Sequence, residues 1–396
     1  MADPSAGAEH IRAEGPATAG RPGWFSRLLL PAIVFQSVLI GGGYASGREI
    51  VEFGAKFGAL GVWTVVAIFL GFGVVSALTY EFARVFRSYD YRTFMRGLIG
   101  RGWILFDILF IVMAVLVIAI VSSAAGEIAT STVGLPYALG VAIVIALVGL
   151  IEFYGRRVSE AVMSIGTVLL YVGFLVFGIA VLSGRWDAVQ DVFGRGDASF
   201  VPGATAGAAL FSGLLYVGYN LVVLPSTFFT LDNQRSRADA VGAGLLTGVL
   251  STLPFILTYL AVLAFYPSED VLNAPVPWLV MLQQVGAAGI GWIYTVVVFY
   301  TLVETGTGLI HAILGRVNSA LKEYGRDELS GRQRALITLG ILVAAALMSR
   351  FGLIALVAQG YTAMAYAFLV LFALPLVTVG IYKIAQVRGR SQAPAA

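Results

Sequence analysis

Ten stretches of this 396-residue chain are each apolar over a length that can cross a bilayer, and no other feature constrains the fold as tightly. A spanning helix needs roughly 20 apolar residues. The pattern predicts spans at about 27–53, 57–84, 103–129, 134–152, 158–183, 205–231, 239–266, 286–315, 333–349 and 353–382, numbered 1 to 10 below. The chain is 59% hydrophobic and 12% charged, outside the range of soluble domains, so the expected class is an all-α integral membrane protein held in the lipid bilayer. Residues 1–23, rich in Ala, Gly, Pro and charge, read as a disordered cytoplasmic tail, residues 24–386 as one transmembrane domain, and residues 387–396 as a short cytoplasmic tail. The first apolar run continues through Gly41 without a small-residue cleavage pattern, which argues against a secretory signal peptide.

Orientation follows from the basic residues. With a cytoplasmic N-terminus, only Arg48, Lys56, Arg185, Arg195 and Arg350 of the 25 lysines and arginines fall outside. That asymmetry is the positive-inside pattern, and it agrees with an even number of spans and two cytoplasmic termini. Membrane topology therefore accounts for the net charge of +3, and nothing in the basic loops points to nucleic acid. Ten spans divide into two sets of five, about 27–183 and 205–382. Because five is odd, a duplication of this length places its second copy upside down, the arrangement common in alternating-access carriers.

Span 1 is interrupted by Gly41-Gly42-Gly43-Tyr44-Ala45-Ser46-Gly47-Arg48-Glu49. Unwound backbone at membrane depth survives only inside protein or beside a polar cavity. Span 6, the first of the second half, carries Tyr216, Gly218, Tyr219 and Asn220 at its middle and Pro225 beyond, and proline cannot donate a helical bond. Matching interruptions in two halves are the sequence pointer to a transporter site. One reading has the exposed amides of Gly41, Gly42, Gly43 and Gly218 receiving an anionic group, with Tyr44, Ser46, Tyr216, Tyr219 and Asn220 beside them. The other has the glycines allowing close helix packing. The tyrosines are open to the same division between pocket lining and aromatic packing.

In span 8, Thr301, Glu304 and Thr305 share one helix face. A carboxylate in mid-span costs about 2.5–3.5 kcal/mol on insertion scales and belongs in the bundle interior. Glu304 either binds a cation when ionised, carries a proton itself, or is a structural hydrogen-bonding group. His311, seven residues on, reads more readily as a solvated or packing side chain than as a proton relay. Arg48 and Glu49 begin the outer half of span 1 and are candidates for an outer gate, with an Arg48–Glu52 pair one turn on as the simpler alternative.

The ten-span plan with interrupted spans 1 and 6 resembles the leucine-transporter fold of the amino acid-polyamine-organocation superfamily, over essentially residues 27–382. The stretch Gly41 to Ile50, three glycines, an aromatic, a small residue and a Gly-Arg-Glu group, resembles the start of the YkvI-type bacterial membrane proteins. The resemblance implies a multi-pass protein of the bacterial cytoplasmic membrane. It also implies a coupling cation held by span 1 carbonyls, about Val38 to Gly42, and completed by span 8. In sodium-coupled relatives a small residue and two hydroxyl residues occupy the span 8 positions, so Glu304 departs from the pattern. The superfamily's gate arginine pairs with an acid on span 10, where this chain has Gln359, Tyr361 and Thr362 instead.

Enzyme signatures are lacking: no HExxH, GxSxG or P-loop occurs, and Ser46 has no histidine near it in sequence. With no cysteine, and His10 and His311 as the only histidines, thiolate metal centres are excluded and multi-histidine ones nearly so. The expected function is cation-coupled secondary transport of an amino acid or similar small carboxylated metabolite, with Na+ or H+ as coupling ion and no resident cofactor. A channel or a non-transporting sensor on the same fold is the alternative.

Overall fold

A computed structural model describes residues 23–154 and 156–392. The expected N-terminal tail thus lies almost wholly outside the described residues, as do residues 393–396. The earlier part of the expected C-terminal tail instead continues the last helix, Ile381–Gln392.

All regular elements among the described residues are helical. Seven helices are long and apolar enough to cross a membrane: Ala55–Phe86, Tyr91–Val133, Ala206–Asn233, Arg237–Leu263, Gly289–Glu323, Gly331–Ser349 and Leu353–Val387. Another apolar helix, Leu169–Leu182, turns by 74° into Trp186–Arg195, and Phe25–Leu39 and Tyr137–Phe153 are shorter apolar helices. Together these occupy all ten predicted spans. Hydropathy alone does not mark the connecting helices Tyr91–Ile99, which leads into span 3, Trp186–Arg195 and Pro277–Gln284. The first is amphipathic, burying Phe94, Met95 and Leu98 while the Asp90 side chain accepts from the Thr93 amide to cap it.

The spans sort into two packed groups. Spans 1, 2, 6 and 7 lie against one another, most extensively span 2 on span 7, where Gly244 and Gly248 allow close approach. Spans 3, 4, 5, 8 and 9 form the other group, and span 10 touches both span 6 and span 3. The middle of span 1 crosses from the first group to rest on span 8.

Ion pairs at the basic face reinforce each group separately. Arg27, at the start of span 1, donates to Asp239 at 3.1 Å, and Asp239 also closes a capping box with Ser236 at the start of span 7. In the other group, Arg316 of span 8 meets Asp107 of span 3 at 2.5 Å, and Arg92 and Arg96 both pair with Glu323. Asp239→Ala removes a cap and an ion pair together and is expected to lower stability by about 1–2 kcal/mol. Thermal unfolding of the purified variant measures it, and an unchanged midpoint would mean that the span 1 to span 7 tie contributes little.

Candidate functional site

Span 1 is interrupted twice. Its first helix, Leu30–Leu39, stops at Ile40, whose ψ of 82° leaves the helical region, and Gly41 is extended. A single turn, Gly42–Ala45, follows. Gly47 then takes a left-handed φ of 82° before the next helix, Arg48–Phe53. That conformation favours glycine, and the approach of Trp278 adds a steric reason, since a Cβ on Gly47 would lie 2.9 Å from its ring. Span 6 is interrupted differently: it does not open, but tightens from α-helix to 3-10 helix at Leu221, upstream of Pro225.

A cavity of about 740 Å³ runs from these interruptions toward the basic face. It brings together Val38, Gly41, Gly43, Tyr44 and Glu49 of span 1, Tyr219 and Asn220 of span 6, and Thr301, Glu304 and Thr305 of span 8. The Gly42 amide donates to Thr305 Oγ1 at 2.8 Å, so the break in span 1 is fastened to the span 8 face that the sequence singles out. Glu304 is partly exposed to the cavity, and none of the hydrogen bonds or ion pairs among the described residues involves it.

Other candidates have structural places instead. Gly42 presses on span 8, where a Cβ would lie 2.9 Å from Leu302 Cα, and Gly218 presses on span 10, where one would lie 3.0 Å from the Ala365 carbonyl oxygen. The packing reading of the glycines therefore describes these two, while Gly41 and Gly43 line the cavity. Ser46 is a buried turn residue whose hydroxyl donates to the Gly43 carbonyl and accepts from the Arg48 amide. Tyr216 lies behind the cavity wall among Phe53, Phe72, Tyr219 and Phe255. His311 does not line the cavity.

Arg48 and Glu49 part company. Arg48 donates to the carbonyls of Leu272 and Ala274 and pairs with Glu52 at 3.1 Å, the simpler arrangement weighed above. Glu49 points the other way, into the closed end of the cavity, where it is only 5% exposed and accepts from Tyr219 Oη at 2.6 Å. Tyr219 stacks on Tyr361 of span 10 with ring centroids 4.2 Å apart. Tyr361 is a site residue that sequence reasoning did not assign. Its local signal is structural: it ends a π-helical stretch, Leu356–Tyr361, of the kind often found at functional sites.

Beyond Tyr44 the chain is sealed by aromatic rings. Tyr44 packs on Phe174 at 5.6 Å, Phe174 on Trp278 at 5.7 Å, and Phe177 on Tyr294 at 5.2 Å. At the opposite, basic end the cavity mouth is framed by Tyr91, Phe110 and Arg316, with the guanidinium 3.6 Å from the Phe110 ring centre. The cavity is thus closed on one side of the interruptions and reaches toward the surface on the other.

No protein-family model matches the chain, and no curated protein matches it in sequence. Solved structures do match in shape. A manganese transporter of Eremococcus coleocola aligns with a TM-score of 0.53 at 14% identity, over 97% of this chain and 91% of that one. A Na+-coupled sialic acid symporter, substrate-bound and outward-open, aligns at 0.54 and 12% identity, over 91% and 85%. The chain has the leucine-transporter fold. MhsT in complex with L-phenylalanine aligns similarly, with a TM-score of 0.53 at 12% identity over 88% and 87% of the two chains. At such identities the likeness carries the leucine-transporter architecture, and the chemistry of the cavity has to be argued from its own residues.

Proposed function

We propose that this protein is a cation-coupled secondary transporter, of the YkvI type, that moves a small amino acid or similar carboxylated metabolite across the bacterial cytoplasmic membrane by alternating access. The observation that carries this reading is one cavity that joins the break in span 1 to Glu304 and Thr305 of span 8 and extends toward the basic face. With the basic face cytoplasmic, as the positive-inside pattern has it, the described state is inward-facing. The printed descriptions of the neighbours, a manganese transporter, a Na+-coupled sialic acid symporter and a protein bound to L-phenylalanine, are consistent with transport as the general activity.

The placement of Glu304 supports the coupling part of this reading. Glu304 stands on span 8, in one packed group, and faces the inner half of span 1, in the other. A proton or Na+ at Glu304, assisted by Thr301, Thr305 and the carbonyls from Val38 to Gly41, changes the attraction between the two groups. A cation can shift the equilibrium only if it binds one state better than the other, and a site split across a moving boundary meets that condition. Cation occupancy then orders the outward-open state, substrate joins beside the interrupted backbone, and the group of spans 1, 2, 6 and 7 rocks to open inward.

The test is counterflow in proteoliposomes. Vesicles loaded with unlabelled L-amino acid should accumulate the same labelled amino acid transiently and saturably. A current linear in voltage, without saturation or exchange, would replace the carrier by a channel, and neither flux nor current would favour a sensor.

A further inference from the structure

Glu49 is a buried carboxyl group that no basic side chain among the described residues pairs with. Its Oε2 accepts from Tyr219, while its Oε1 faces Gly43 across the end of the cavity, where an added Cβ would stand 2.8 Å from Oε1 and 3.2 Å from Tyr361 Oη. Because residue 43 is glycine, no side chain covers that oxygen from span 1. Its sequence neighbour Arg48 is turned away to the Leu272 and Ala274 carbonyls and to Glu52, and no described Lys, Arg or His forms an ion pair with Glu49. A buried carboxylate without a counter-charge is costly.

Nearby polar atoms also lack partners. The hydroxyls of Tyr44 and Tyr216, both 2% exposed or less, meet no hydrogen-bond partner among the described residues, and Tyr44 lines the cavity. The Glu49 carboxyl group and the Tyr44, Tyr219 and Tyr361 side chains all line this end of the cavity, so the oxygens it offers a ligand are chiefly acceptors. An ammonium group, with three donors, no acceptor and one positive charge, is its complement. A substrate carboxylate finds less to hold it there, because one of the interrupted amides, that of Gly42, is already given to Thr305.

We propose that Glu49, with Tyr44, Tyr219 and Tyr361 around it, is the group that recognises the amine of the substrate, so that the site requires a small primary amine or amino acid and not a simple carboxylic acid. This rests on the carrier reading above and names the substrate class of the same cavity. It assigns Glu49 to the binding site rather than to an outer gate.

Matched probe triplets test it: L-alanine, ethylamine and propionate; L-leucine, isopentylamine and isocaproate; L-phenylalanine, phenethylamine and hydrocinnamate. Binding to the purified full-length protein is read by calorimetry and by thermal shift. Within at least one triplet the amino acid and the amine should bind and the acid should not. Glu49→Gln should weaken the amine-bearing probes roughly 10- to 100-fold, the range for a lost charge-assisted hydrogen bond. Tyr219→Phe, which keeps the carboxylate, should weaken them less. The ranking within each wild-type triplet decides the matter even if Glu49→Gln does not fold. Acids binding as well as amines, unchanged affinity in folded Glu49→Gln, or no response to any amine-bearing probe would each overturn the assignment. If an acid drives counterflow that Glu49→Gln leaves intact, the amine assignment falls while the carrier reading stands. If no probe drives counterflow in the wild type, the carrier reading falls as well.

Discussion

Glu304→Gln should abolish gradient-driven accumulation while the protein remains folded and still exchanges substrate downhill. Glutamine keeps the size and hydrogen-bonding capacity of the side chain but can neither carry a proton at this position nor offer a cation a negative charge. Because Glu304 faces the cavity with no hydrogen-bond or ion-pair partner among the described residues, the substitution breaks none of the ion pairs described, and stability should change little. The typical coupling free energy between two sites, about 1–3 kcal/mol, corresponds to a loss of roughly 5- to 150-fold in the dependence of substrate affinity on the cation. Labelled uptake under an inward pH or Na+ gradient, compared with counterflow without a gradient, separates the two functions. If the variant accumulates substrate as well as the wild type, Glu304 has no part in coupling.

Gly42→Ala should have the largest effect of any single methyl group added to the cavity region. Its Cβ would stand 2.9 Å from both Leu302 Cα and Leu302 Cδ2, and 3.1 Å from the Thr301 carbonyl oxygen, and the backbone atoms among these cannot move aside alone. Overpacking of this kind typically costs about 1–3 kcal/mol. The displacement also loosens the hydrogen bond from the Gly42 amide to Thr305, so weaker cation binding should accompany the lower unfolding temperature. Gly41→Ala provides the contrast, because its Cβ would meet only the Thr305 side chain, with Oγ1 the nearest atom at 3.2 Å. Equal stability in the two variants would mean that span 1 does not bear on span 8 as described.

The span plan was legible in the sequence because each span is long and apolar, a signal independent of tertiary contacts. The interruption of span 1 was legible for a related reason: three consecutive glycines and a fourth at Gly47 leave a membrane helix without side chains to stabilise it. The form of the second interruption was not. Gly218 and Asn220 resemble a break, yet the chain remains helical there, Gly218 packing on span 10 and the winding merely tightening at Leu221. Thr301, Glu304 and Thr305 could be placed on one face because helical spacing alone determines that. The direction of Glu49 could not be read, since it depends on the left-handed Gly47 and on where the span 7 to span 8 connection draws Arg48. Tyr361 was invisible for a similar reason: only tertiary stacking on Tyr219 brings it to the carboxylate. The amphipathic helix Tyr91–Ile99 was missed because its buried residues, Phe94, Met95 and Leu98, are too few to register as an apolar run.

Alternating access itself can be measured without knowing the substrate. The chain contains no cysteine, so Ala312→Cys places one thiol on the span 8 wall of the cavity, toward the basic end. Its reaction rate with a membrane-impermeant thiol reagent applied from the cytoplasmic side reports how often that path is open. A carrier whose coupling cation orders the outward-open state gives fast labelling without the cation, slower labelling with it, and no such change when Glu304→Gln is added. Labelling at one rate under every ionic condition, in a folded protein, would contradict alternating access.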